Sequence, residues 1–220
     1  MTTTLITGAN RGIGLALAEH LKARSHSITA VCRKSSPALD ALGVRVLSGV
    51  DIGQNGAERR LAELAAGQTY DWLIANAGIL QHESLEALDF DSVKTQLEVN
   101  ALGPLRTVFA LLPYLREGGK IALITSRMGS IADNTSGSYY GYRMSKAALN
   151  AAGVSLALDL KPRRIAVALL HPGYVRTDMT ANHGSVAPQD AAAQLIERVE
   201  ALDLENSGTL WHANGEILPW

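Results

Sequence analysis

The stretch "TTLITGANRGIGLALAEHL" (residues 3–21) decides how the rest of the chain is read. A short, continuously apolar run ends in a turn containing Gly8, Gly12 and Gly14, and a helical pattern follows from Ile13. Such a run suits a strand covered on both faces. The glycines allow a tight turn and close backbone approach, and a helix N-terminus presents free N–H groups and partial positive charge. A glycine-rich turn can occur without a ligand. Between a first strand and a first helix, however, it stands in the context where such a turn cradles a diphosphate.

The alternation continues to the other end. Residues 3–8, 27–32, 44–49, 71–78, 120–126, 165–173 and 208–213 read as strands, with helical patterns near 13–24, 55–66, 89–116, 142–160 and 188–202. Strands alternating with helices imply a parallel sheet built from right-handed crossovers. The expected fold is α/β: a doubly wound (Rossmann) parallel sheet of about seven strands with helices on both faces. No linker, repeat, low-complexity block or charge run interrupts it, so residues 1–220 read as one domain. Ligands of such sheets bind outside the carboxyl ends of the strands, which is where chemistry is sought.

Composition narrows the partners. Twenty basic against twenty-one acidic residues leave a formal charge of −1, which gives no reason to invoke nucleic acid or an anionic membrane. Hydrophobic residues make up 47% and charged residues 19%, an ordinary globular balance. Cys32 is the only cysteine, so no intrachain disulfide is possible and a reducing compartment is the default. "MTTTLITGAN" has neither a charged n-region nor a long apolar stretch, and no apolar run is long enough to span a membrane. A cytoplasmic protein is expected. The six histidines form no compact cluster, so no metal is implied.

A dinucleotide specific for NAD usually meets an acidic residue about 20 positions beyond the glycines. Here the second strand runs into Arg33 and Lys34 instead. A 2′-phosphate needs cations, and a planar guanidinium can offer it two parallel bonds. Arg11, inside the glycine turn, could add another charge. NADP(H) is the expected cofactor, against the plainer possibility of two solvated surface basics.

The glycine spacing, Thr7-Gly8-x-x-x-Gly12-x-Gly14, resembles the fingerprint of the short-chain dehydrogenase/reductase family. The resemblance runs from Thr7 to the tail "SGTLWHANGEILPW" (207–220). It implies cofactor contacts from Thr7, Gly8, Asn10, Arg11, Gly12, Ile13 and Gly14. Asp51 and Ile52 resemble the family's adenine site. Asn76-Ala77-Gly78 resembles its N-N-A-G segment, with Ala75 in place of the first Asn. Pro172, Gly173, Val175 and Thr177 resemble the loop that holds the nicotinamide carboxamide.

In "SGSYYGYRMSK" (136–146) three tyrosines precede one lysine. On a helix, residues four apart share a face one turn apart, which pairs Tyr142 with Lys146. Tyr140 points elsewhere, and Tyr139 lies about 10 Å along the axis. A nearby ammonium favours the phenolate, so Lys146 is expected to lower the Tyr142 pKa. Ser126 ends the fifth strand, where its hydroxyl can bind a carbonyl oxygen while the tyrosine supplies the proton. Ser130 is a rival, because fifteen residues separate Ser126 from Tyr142, a longer interval than many family members have. Asn100 matches the family's helix asparagine, which the resemblance implies supports a proton relay to the lysine.

The resemblance therefore implies hydride transfer between NADP(H) and a small-molecule carbonyl substrate, in a homodimer or homotetramer. Catalytic roles would fall to Ser126, Tyr142, Lys146 and Asn100, with Tyr142 and Lys146 also touching the cofactor. The segment "SRMGSIADNTSGSYYGYRMSKAALN" (126–150) and the tail look most like the C-factor and sniffer-like carbonyl reductase branch, some of whose members are discussed as signalling proteins. A dinucleotide-binding sensor is accordingly the alternative. The substrate is not legible. Tyr139, Tyr140, Met128 and His183 are candidates for the pocket wall.

Overall fold

The computed structural model describes residues 1–220 and forms a seven-stranded, entirely parallel sheet in the order β3-β2-β1-β4-β5-β6-β7. The strands are β1 (Thr3–Thr7), β2 (Ser27–Val31), β3 (Arg45–Leu47), β4 (Tyr70–Ala75), β5 (Leu115–Ile124), β6 (Ala166–His171) and β7 (Leu210–His212). The helices are α1 (Gly12–Ala23), α2 (Pro37–Ala41), α3 (Ala57–Ala65), α4 (Phe90–Leu97), α5 (Gly103–Leu111), α6 (Tyr140–Leu160) and α7 (Pro188–Glu200). The expected doubly wound architecture is present.

Two cores lie on opposite faces of the sheet, because successive strand residues point to opposite sides. Ile6, Ile74, Ala122 and Leu170 face α1 and α7, whereas Leu5, Leu73, Leu123 and Val167 face α3, α5 and α6. The fully apolar strands thus bury both faces, as their composition requires. Helix α6 packs tightly on the sheet at Gly153: a Cβ there would lie 2.6 Å from Leu169 Cδ2. No helix is long and apolar enough to cross a membrane.

Three local features depart from the sequence reading. The continuous pattern over 89–116 is not one helix: α4 and α5 are joined by a single π turn, Glu98–Leu102, that contains Asn100. β5 opens at Leu115 rather than Lys120, with a register shift against Tyr70 and Trp72, so the end of that pattern belongs to the sheet. The short α2 was not anticipated. Ser36 caps it by accepting from Leu39 N–H (3.2 Å), and Pro37 opens it, a start signal easily lost in so short a segment.

Candidate active site

The strand order reverses between β1 and β4, and a cavity of about 620 Å³ opens at their carboxyl ends. Thr7, Gly8, Asn10, Arg11, Gly12, Ile13, Gly14, Arg33, Lys34, Asp51, Ile52, Asn76, Ala77, Gly78, Tyr142, Lys146, Pro172 and Thr177 all line it. Gly173, Val175, Ser126 and Asn100 do not. Gly173 adopts φ +87° with the place of a Cβ filled by contact with Val186 (3.5 Å) and His212 (3.7 Å), and Val175 is buried, its carbonyl accepting from Thr180 Oγ1 (2.7 Å). Met179, Asn182, Arg176 and Ile79 line the cavity without a distinguishing sequence signal, whereas Tyr139, Tyr140, Met128 and His183 are not on its wall.

Backbone proximity explains the glycines. A Cβ at Gly14 would lie 2.2 Å from Gly8 O and 2.5 Å from Asn76 Nδ2. Gly8 is left-handed at φ +68°, and a Cβ there would meet Ala77 Cα at 2.8 Å. Thr7 and Asn76 knit this corner together. The Thr7 hydroxyl accepts from Asn76 N–H (3.1 Å) and Ala77 N–H (3.2 Å), while Asn76 Nδ2 donates to Thr7 O (3.0 Å). Asn10 Nδ2 donates to Lys34 O (3.0 Å), tying the glycine turn to the basic residues after β2.

Those cations are differently placed. Arg33 is 69% exposed and faces Asp51 at 3.8 Å, an exposed pair of little energetic weight that leaves the guanidinium available. Arg11 turns to Asp178 (3.2 Å), in the segment beyond β6. That segment closes on itself: Arg176 N–H donates to Val186 O (2.9 Å) and Val186 N–H to Tyr174 O (3.0 Å).

Tyr142 and Lys146 share one buried face of α6, with the ammonium 5.7 Å from the phenol ring centroid. Lys146 Nζ donates to Ile124 O (2.9 Å) at the end of β5. The Ser126 hydroxyl neighbours the Tyr142 phenol, close enough to oppose part of the effect of its burial. It also accepts from Met128 N–H (3.1 Å). Ser130 instead serves its own loop, accepting from Asp133 N–H (3.1 Å). Asn100 is fully buried. Its Nδ2 donates to Ile79 O (2.8 Å) and Ser145 Oγ (3.0 Å), and its Oδ1 accepts from Ile79 N–H (2.8 Å). Gly78 lies between Asn100 and the lysine: a Cβ there would be 3.2 Å from Asn100 Oδ1 and 3.7 Å from Lys146 Nζ. The π turn presents Asn100 here, a distortion often found at functional positions.

Electrostatics correct one expectation. Burial pushes the Tyr142 phenol above its ordinary value, and the neighbouring Ser126 hydroxyl only partly opposes it. Burial also brings Lys146 down to about 8. The lysine was expected to draw the phenol down, but removal from water disfavours phenolate and ammonium alike, and here that effect dominates.

A glycine-lined groove at the sheet's switch point, with a buried tyrosine–lysine pair on its wall, is the arrangement of a dinucleotide-dependent oxidoreductase. Residues 2–187 match the family described as short chain dehydrogenase, and the chain belongs to that family. It is 40% identical over 226 residues to 1-hydroxy-2-glutathionyl-2-methyl-3-butene dehydrogenase of Rhodococcus sp. (strain AD45), covering 100% of each chain. Among solved structures it is similar to carbonyl reductase Sniffer of D. melanogaster (TM-score 0.92, 29% identity, 100% of both chains). It is likewise similar to a carbonyl reductase from Pseudomonas aeruginosa PAO1 in complex with NADP (TM-score 0.84, 32% identity, 100% of both chains).

Proposed function

We propose that this protein is an NADP(H)-dependent carbonyl reductase acting on aldehyde, ketone or quinone-like substrates, with reversible oxidation of the alcohol. One observation carries the reading: Ser126, Tyr142 and Lys146 meet beside a groove that also holds Arg33 and Lys34. The groove fits the cofactor, because Gly8 and Gly14, where a Cβ has no room, keep bare backbone along its floor and its far side carries an exposed guanidinium.

Bound NADPH would supply the hydride. Backbone amides from Gly8 to Gly14 would hold the diphosphate, and Arg33 with Lys34 and Arg11 the 2′-phosphate. Asp51 and Ile52 would flank adenine, Asn76-Ala77-Gly78 would border the central groove, and the Pro172–Thr177 turn would hold the carboxamide. Tyr142 would give its proton to the developing alkoxide, a task suited to a phenol that burial keeps protonated. Ser126 would donate to the same oxygen. Lys146 would orient the ribose hydroxyls, with Asn100 linking the lysine to solvent.

NADPH oxidation with a panel of aldehydes, diketones and quinones tests the reading, together with NADP-linked oxidation of the alcohol named for the Rhodococcus relative. Tight NADPH binding without turnover of any panel member would reject it. That outcome would favour the signalling alternative, which the complete Ser126–Tyr142–Lys146 set disfavours.

We further take residues 1–220 as one domain working in the cytoplasm, with neither nucleic acid nor a membrane as partner. The near-neutral charge and the lone Cys32 support this. Exposed Leu105 and Phe109 on α5 and Leu158 on α6 support a homodimer or homotetramer. Light scattering of the parent and of Phe109→Asp tests the assembly.

A further inference from the structure

Glu83 is 1% exposed, yet it neither lines the groove nor belongs to the tyrosine–lysine site. Burying a carboxylate is costly unless hydrogen-bond donors replace water. Three donors converge on this one. Ser92 Oγ and Gln96 Nε2 of α4 reach Oε1, and Gly141 N–H, in the first turn of α6, reaches Oε2 at 3.2 Å. The backbone carbonyl of Glu83 also accepts from Tyr139 N–H at 2.8 Å. One residue therefore grips both sides of the junction where α6 begins.

That junction is strained. Gly137, Ser138 and Tyr139 have φ values of +65°, +53° and +54°, a left-handed run that includes two non-glycine residues. Such backbone persists where its surroundings over-determine it. Arg143 holds the run from the helix side, Nε donating to the carbonyls of Gly137 (3.2 Å) and Ser138 (3.1 Å). Glu83 holds it from the α4 side. There is no slack between them, since a Cβ on Gly141 would lie 2.5 Å from Gln96 Nε2 and 2.9 Å from Val93 Cα.

The next residue is Tyr142. Three residues further on, Ser145 is held by Asn100. The phenol thus stands between two buried anchors, Gly141 on Glu83 and Ser145 on Asn100. A shift of this first turn would move the phenol relative to Ser126. We propose that Glu83 is a positioning residue for carbonyl reduction: by holding Gly141 and the strained junction, it sets where the Tyr142 proton is delivered. It touches neither substrate nor cofactor, and the inference rests on the reductase reading above.

Glu83→Gln tests it, because the side chain keeps its shape while one acceptor oxygen becomes a donor facing other donors. Ser92→Ala, which removes one donor only, is the milder companion. Both are compared with the parent for kcat, NADPH dissociation constant and solvent deuterium isotope effect, per NADPH-binding site. For Glu83→Gln, kcat should fall about 10- to 100-fold, as a displacement of about 1 Å in a reacting group produces, with NADPH affinity within about twofold. The solvent isotope effect should grow as proton delivery slows. Ser92→Ala should change both in the same direction and less.

A purely structural role would reduce the number of binding sites while leaving kcat per site and the isotope effect at parental values, and that result overturns the proposal. If Glu83→Gln does not fold, unchanged kcat and isotope effect in Ser92→Ala overturn it equally. A parent protein that reduces no carbonyl removes the function and this inference together. An active parent with an equally active Glu83→Gln removes the inference alone.

Discussion

Asn100 Nδ2 donates to Ser145 Oγ at 3.0 Å, joining the π turn to the helix that carries Tyr142 and Lys146. The same amide satisfies both the N–H and the carbonyl of Ile79. Asn100→Ala would leave those half-buried backbone groups without their side-chain partner. A loss of about 1–3 kcal/mol per unsatisfied group is expected, read as a lower denaturation midpoint, together with reduced kcat.

Of the two candidate serines in the loop after β5, Ser126 is the one that neighbours the phenol. Ser126→Ala should lower kcat about 10²- to 10³-fold, as removal of a donor to a developing oxyanion does. Ser130→Ala should stay within a few-fold of the parent by the same argument. Tyr142→Phe should lose about 10²- to 10⁴-fold in kcat while binding NADPH normally. Steady-state rates with fluorescence titration of NADPH separate these outcomes, and comparable losses from the two serine variants would contradict the assignment.

Arg33 makes only one long, exposed ion pair, with Asp51. Arg33→Ala should therefore leave thermal stability nearly unchanged. It should weaken NADPH binding at least about tenfold with little effect on NADH, because a charge-assisted contact to the 2′-phosphate is lost. Isothermal titration with the two cofactors measures the ratio; parallel weakening of both would remove Arg33 from that role.

His171 ends β6 with its Nδ1 buried and unpartnered, and its ring meets His212 edge-on at 5.0 Å between centroids. Burial chiefly, then the positive potential of His212, Arg127 and Lys146, lowers its pKa to about 3 from the ordinary 6.5. The unfolded chain then binds the proton more readily than the folded one. The stability contribution is full above about pH 6.5 and is lost progressively as pH falls toward 3. Urea midpoints measured across that window should fall less steeply in His171→Gln than in the parent. An identical slope would show that His171 does not control the acid limb.

Much of this protein is legible from local pattern. The glycine turn after β1 and the strand–helix alternation depend on neighbours in the chain, and so does the single helical turn between Tyr142 and Lys146. Short-range sterics and periodicity therefore reveal them. The choice of Ser126 over Ser130 depends on how a loop folds back onto α6. The π turn at Asn100 hides inside a continuous helical pattern. The tuning of Tyr142 and Lys146 follows burial rather than their spacing, which is why the anticipated lowering of the phenol pKa is not found. Glu83 is least visible of all: in "LQHESLEAL" (80–88) it resembles any loop glutamate. It acquires meaning only when α4 and α6 close around it, because its hydrogen-bond donors come from residues as distant in the chain as Gly141.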